Sequence, residues 1–172
     1  MNKMITSILM VSIFGFRSLF AMAGGPNPNQ QLFLGAATGN FAHVDAALKQ
    51  HANIDATFGL LQQTALFTAV IQRNYAMVKE LLKRGANPNI ANTSGSTPLH
   101  IAVLGRQPNM VELLLKNGAD PTLRDNTHRT PVDLLRLFQP AQQNEPRIQE
   151  IRQHFTELMH PASEITSATL ET

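Results

Sequence analysis

Residues 97–103 read Thr-Pro-Leu-His-Ile-Ala-Val, and this stretch decides the fold of the chain. Related stretches lie on either side of it, Thr-Ala-Leu-Phe-Thr-Ala-Val at 64–70 and Thr-Pro-Val-Asp-Leu-Leu at 130–135. The three stretches begin 33 and 33 residues apart. Self-similarity at such a period indicates stacked copies of one supersecondary unit, because each copy buries its apolar side against its neighbours.

The segments that follow these stretches also align. Residues 77–89 (MVKELLKRGANPN) match residues 110–122 (MVELLLKNGADPT), again 33 residues later. An earlier copy at 30–55 lacks the opening Thr but keeps the rest of the pattern, at an offset of 34 residues. The repeat therefore extends over most of the chain.

Each copy predicts two short helices. Thr97 is placed to cap the first helix, and Pro98 suits the first helical position, where a missing N–H costs nothing. In the second helix Val111 and the leucines at 114 and 115 follow i, i+3, i+4 spacing and predict an inward apolar stripe. Gly85 and Gly118 predict left-handed residues that end the second helices.

An acidic residue precedes a basic residue by four positions on each second helix, which predicts exposed ion pairs on a solvated outer face. The pairs are Asp45–Lys49, Glu80–Arg84 and Glu112–Lys116.

The Thr-Pro-Leu-His turn at 97–100, with Ala102 and the later Gly118-Ala119, resembles the ankyrin repeat family. The resemblance implies an all-α solenoid of about four helix-turn-helix repeats with short hairpin fingers and degenerate terminal caps. The expected repeats are 30–63, 64–96, 97–129 and 130–159, preceded by a lead at 24–29. It also implies that His100 makes local hydrogen bonds and that the concave side binds another protein.

Several positions depart from the family pattern. Arg73 and Arg106 stand where the family usually has Gly between its helices, and we expect Gly105 to take over that role in the third repeat. His128 likewise replaces a finger Gly. Residues 139–146 form an insertion in the fourth repeat, and the helix after it is expected to be a polar-backed cap whose apolar side carries Ile148, Ile151, Phe155 and Leu158.

The resemblance places the partner-binding candidates on the fingers and on the exposed side of each first helix. They are Phe58, Leu60, Leu61, Gln63, Ile71, Gln72, Thr93, Ser94, Ser96, Leu104, Asn126 and Arg129, with Ala37, Thr38, Gly105, Thr127 and Leu137 at equivalent positions.

The finger segment at 58–61 (Phe-Gly-Leu-Leu) admits two interpretations. It is one residue longer than its counterparts and apolar, so it is a candidate interaction site. Alternatively, Phe58 or Leu60 folds back to cover the first repeat, which has no neighbour on that side.

Composition and motifs argue against chemistry. With no Cys the chain has no disulfide, no Cys-ligated zinc and no thiol nucleophile. The six His form no tight ligand pair, and no Gly-rich phosphate loop is present. Asp120, Asp125 and Asp133 suit turns and a helix start. We expect a non-enzymatic protein without metal or cofactor; an enzyme with an unrecognised site is the less favoured hypothesis.

The N-terminus reads as a signal peptide over 1–23, with Lys3, an uncharged run at 4–16 and Ala-Met-Ala at 21–23. Cleavage there would remove Lys3 and Arg17 and leave equal numbers of basic and acidic residues. A nucleic-acid partner is therefore not expected. We expect an exported monomer in the periplasm, without a membrane segment after cleavage; a secreted effector engaging a host protein is the alternative. Residues 160–172 are expected to be a disordered tail.

Overall fold

A computed structural model describes residues 27–138 and 140–159, so the predicted signal peptide and tail lie outside the described residues. The described elements are α1 (Pro28–Thr38), α2 (Phe41–Lys49), α3 (Ala65–Ile71), α4 (Tyr75–Lys83), α5 (Pro98–Leu104), α6 (Pro108–Lys116), a 3₁₀ helix (Asp133–Leu137), α7 (Pro140–Gln143) and α8 (Pro146–Met159).

These helices form two rows. The inner row runs α1, α3, α5 and then the 3₁₀ helix, each packed on the next. The outer row contains α2, α4 and α6, each packed on the inner helix that precedes it, and α8 closes it by packing on α6. The inner helices bury small residues such as Ala36, Ala69 and Ala102, which lets neighbouring backbones approach closely. The all-α stacked fold predicted from the repeats is confirmed.

Side-chain caps start the helices as the sequence indicates. Thr64 Oγ1 accepts a hydrogen bond from the Phe67 N–H at 3.1 Å, and Asn74 caps α4 in the same way. The first helix begins at Pro28, two residues before the predicted boundary of the first repeat. It does so because the side chains of Asn27 and Gln30 form a capping box.

Three backbone positions in each repeat are left-handed, whichever residue occupies them. They lie between the two helices, after the second helix and in the finger, and the occupants are Gly39, Arg73 and Arg106; His51, Gly85 and Gly118; and Gln62, Gly95 and His128. The predicted role of Gly85 and Gly118 is confirmed. Each non-Gly residue at such a position costs about 1 kcal/mol.

The expectation that Gly105 replaces Arg106 in this role is wrong. Gly105 has φ −75°, and its N–H donates to the Ile101 carbonyl as the last bond of α5. Arg106 itself has φ 52°. Its guanidinium donates to both Glu145 carboxylate oxygens at 2.9 and 3.0 Å and stands 4.8 Å from the centre of the Phe138 ring. These contacts hold the strained residue in place and tie the insertion at 139–146 to the third repeat.

Loop side chains set the spacing between successive repeats. The N–H groups of Asn53, Asn87 and Asp120 each donate to a side-chain oxygen of the preceding layer, at 2.8, 2.9 and 2.8 Å. The acceptors are Asn29, Asp55 and Asn89. This ladder satisfies backbone donors that the short loops would otherwise leave unpaired.

The outer face carries two of the three predicted pairs. Glu80 and Arg84 are 2.7 Å apart, and Glu112 and Lys116 are 2.5 Å apart. Asp45, predicted to pair with Lys49, instead meets Arg84 of the next repeat. One guanidinium thereby bridges two layers.

The fourth repeat closes the stack with altered helices. A 3₁₀ helix replaces its first α-helix, and α7 lies within the insertion. Ile148, Ile151 and Phe155 of α8 are buried, which confirms the predicted apolar side of the cap for these residues. The side chain of Leu158 lies outside the description.

Candidate functional site

A short finger follows each of the first three helix pairs. Its base is closed by an N–H that donates to a carbonyl four or five residues later, at 2.9, 3.0 and 2.9 Å. The pairs are Phe58–Gln63, Asn92–Ser96 and Asp125–Arg129, and we call the segments they enclose the first, second and third fingers. The first finger is one residue longer than the others, as its sequence predicts.

The three fingers are joined edge to edge. The Thr93 N–H donates to the Leu61 carbonyl at 3.1 Å, and the Asn126 N–H donates to the Ser94 carbonyl at 3.0 Å. Gly95 permits this approach, since a Cβ added there would lie 2.5 Å from Asn126 Oδ1. The tips are therefore held at fixed separations by the backbone itself.

An aromatic contact anchors the first finger. The ring of Phe58 lies 4.9 Å from that of Phe33 in α1, so Phe58 folds back onto the first repeat. Leu60 points the other way and is 97% exposed, with Leu61 48% exposed. Both sequence interpretations thus hold, each for different residues. Gln63 is buried beneath the tip, so its proposed contact with a partner is corrected to a supporting position.

Hydrogen bonds anchor the third finger. Asp125 Oδ1 accepts from the N–H of Thr127 at 2.8 Å, from its hydroxyl at 2.5 Å and from the N–H of Arg129 at 3.0 Å. Burial raises the pKa of Asp125, but these bonds and the Arg129 charge outweigh it and lower that pKa to about 2. In the second finger Asn92 plays the same part, accepting from the N–H groups of Ser94 and Ser96.

His100 joins its own helix start to the third finger. Its Nδ1 accepts from the Thr97 N–H at 3.1 Å, and its Nε2–H donates to the Arg129 carbonyl at 3.1 Å. The side chain is fully buried, and burial lowers its pKa, so the imidazole is neutral in the fold. The local hydrogen-bonding role expected for His100 is confirmed. In the fourth repeat Asp133 takes the equivalent place and bonds to Thr130.

The inner helices contribute a second apolar feature. Ile71, Leu104 and Leu137 occupy the same position in consecutive repeats, at the C-terminal ends of α3, α5 and the 3₁₀ helix. Leu104 is 44% exposed and Leu137 is 53% exposed, whereas Ile71 is partly buried. We call these three residues the aliphatic row.

The polar candidates differ in exposure. Gln72 on α3 and Thr93, Ser94 and Asn126 on the fingers are exposed. Ser96 and Arg129 are partly buried, and Arg129 lies 3.4 Å from the Asp125 carboxylate. The fingers thus present uncharged polar side chains beside Leu60 and Leu61.

Residues 32–125, more than half of the chain, match three copies of the ankyrin repeat. The chain belongs to the ankyrin repeat family. Ankyrin repeats are protein-interaction modules and generally act as binding scaffolds without catalysis. The match ends before the fourth repeat, where the 3₁₀ helix and the insertion depart from the ankyrin pattern. No curated protein matches this chain.

Two exposed aromatic residues were missed by reasoning from the sequence. Phe41 and Tyr75 are 43% and 45% exposed at the first positions of α2 and α4. They occupy the same repeat position, so the signal was a pair of aromatic residues in register at an offset of 34. They lie at the start of the outer helices, away from the finger tips.

The three aspartates considered for catalysis hold turns and a helix start in this ankyrin stack. Asp120 accepts from the N–H and hydroxyl of Thr122, and Asp133 from those of Thr130. Within 27–138 and 140–159, no group of three His, Cys, Asp or Glu residues is placed to hold a metal ion. Over the same ranges, no helix combines the length and apolar character needed to cross a membrane.

Proposed function

We propose that this ankyrin stack binds another protein through its finger tips and the exposed ends of its inner helices. The observation that carries the proposal is the exposure of four leucines on finger tips and inner-helix ends of a folded core, since exposed apolar surface tends to mark interaction sites. They are Leu60, Leu61, Leu104 and Leu137.

The hydrogen-bonded fingers support the same proposal. Because the tips of the three fingers are joined through Leu61, Thr93, Ser94 and Asn126, they need little ordering when a partner docks. Association loses less affinity to conformational entropy when the contact residues are already fixed.

We further propose that the protein acts without catalysis or a cofactor, as a monomer. The support is that its candidate catalytic side chains are occupied by turns, helix starts and finger anchors. A broad hydrolase screen tests this: turnover abolished by a single His or Asp replacement would contradict it. Light scattering of the purified chain tests the monomer.

The proposed location is the periplasm, supported by the signal-peptide features of residues 1–23. The alternative is a secreted effector that engages a host protein, for which the Ser/Thr/Glu-rich segment at 160–172 is the supporting feature. Cell fractionation separates the two. Retention between the membranes supports the first, whereas appearance in a host cell that depends on residues 160–172 supports the second.

The binding surface is tested by capture from an envelope extract. Leu60→Ser with Leu61→Ser is expected to lower recovery of the captured partner at least tenfold. Tyr75→Ser is the matched control, because Tyr75 is nearly as exposed as Leu61 but lies on an outer helix. Equal recovery with all variants would contradict the finger surface; thermal melting checks that every variant is folded.

A further inference from the structure

Formal charge is distributed unevenly along the inner side of the stack. Residues 57–72, a finger with the inner helix that follows it, contain no Asp, Glu, Lys or Arg, and the equivalent residues 90–105 contain none either. Helix α1 is also uncharged. The third equivalent segment, 123–138, carries five charged residues: Arg124, Asp125, Arg129, Asp133 and Arg136.

The exposed part of that charge is positive. Asp125 is only 8% exposed and Asp133 34% exposed, and both carboxylates accept hydrogen bonds from their own backbone and from threonine hydroxyls. The side chains of Arg124 and Arg136 are 60% and 84% exposed. We call Arg124 and Arg136 the basic end. The carboxylates are used inside the protein, whereas these guanidinium groups face solvent.

We infer that the partner segment is aliphatic and uncharged along the first three repeats and carries carboxylates where it reaches the basic end. This inference rests on the proposed binding function and specifies the chemistry of the partner.

Complementarity of charge is the reason. A charged side chain docked against the uncharged fingers and inner helices would lose water without gaining a counter-charge, which is unfavourable. At the other end a carboxylate gains charge-assisted and bidentate hydrogen bonds from a guanidinium. The surface therefore selects both the composition and the direction of the bound segment.

The experiment selects random 16-residue peptides on phage against the purified protein. Peptides enriched on the wild type are expected to combine aliphatic residues with an Asp/Glu cluster at one end. With Arg124→Glu and Arg136→Glu together, the selected cluster is expected to become Lys/Arg. For one wild-type peptide, fluorescence anisotropy at low salt should show at least tenfold weaker binding to the reversed variant.

Two controls keep the result interpretable. Lys79→Glu with Lys83→Glu makes the same charge change on the outer helix α4 and should leave peptide binding unchanged. Arg124→Gln with Arg136→Gln removes the charge without placing a new carboxylate beside Asp133, and it should weaken binding in the same direction if the reversed variant fails to fold.

The outcomes separate the two proposals. Peptides that need Leu60 and Leu104 but show no acidic cluster would overturn the inference and leave the proposed function standing. Peptides unaffected by Leu60→Ser, Leu104→Ser and the arginine variants would contradict both. A selection that enriches no peptide would overturn the inference, and the envelope capture would then judge the binding function alone.

Discussion

The first and third fingers solve one structural problem with different chemistry. Phe58 and Asp125 occupy the same place, since each donates its N–H to the carbonyl that closes the finger base. Phe58 is held by its ring against Phe33, while Asp125 is held by hydrogen bonds from Thr127 and Arg129. The backbone path of a finger is therefore independent of whether its anchor is apolar or ionised.

The difference has consequences for stability. Apolar packing does not titrate, whereas a buried carboxylate and a buried imidazole bind protons differently in the folded and unfolded chain. We therefore expect acid to loosen the third finger before the first. The four predictions below test this contrast, from the largest expected effect to the smallest.

Replacing His100 with Ala should have the largest effect, about 3 kcal/mol lost from the free energy of unfolding, because a fully buried side chain and two of its hydrogen bonds disappear. Since burial lowers the pKa of His100, the wild type should lose stability as the pH falls below about 6.5, and the variant should lack that loss. Urea unfolding at several pH values measures both; an unchanged pH slope would contradict the assignment.

Phe58→Ala should destabilise the protein by about 2 kcal/mol, since it removes a partly buried ring from its partner Phe33. Amide exchange should speed up at Phe58 and Gln63 and stay unchanged in the third finger. Leu60→Ala is the matched control and should change neither stability nor exchange, because Leu60 is 97% exposed. Equal losses from the two variants would refute the anchoring role of Phe58.

Asp125→Ala should cost about 1.5 kcal/mol at neutral pH, because it removes the acceptor of the Thr127 and Arg129 N–H groups. Asp125→Asn should cost less, since Asn92 serves as the same acceptor in the second finger.

The acid limb gives the second test of Asp125. Its pKa of about 2 in the fold lies below its ordinary value, so its contribution is present above about pH 4 and is lost as the pH falls toward 2. Both variants should flatten the stability curve in that window. A slope identical to that of the wild type would show that other groups carry the acid sensitivity.

His128→Gly should have the smallest effect, a gain of about 0.5 kcal/mol, because His128 is exposed and has φ 62°. Gly95→Ala, at the same position of the second finger, should destabilise, since its Cβ would meet Asn126 at 2.5 Å. Thermal melting of the two variants should move in opposite directions, and parallel shifts would contradict this explanation.

Local patterns predicted much of this molecule. The 33-residue period, the caps at Thr64 and Thr97 and the helix-ending Gly85 and Gly118 depend on residues a few positions apart. The choice between Gly105 and Arg106 could not be made that way, because Arg106 is held by Glu145, 39 residues later. Asp45 likewise prefers Arg84 of the next repeat to a neighbour on its own helix.

By itself, the sequence determined the stacked helix pairs and which positions lie inside, because periodicity and capping are properties of short segments. Only the tertiary structure decided that Phe58 turns inward while Leu60 turns out, that Gln63 lies beneath the tip, and which carboxylates are used internally. Those outcomes depend on partners in adjacent repeats, brought within contact distance only when the layers pack.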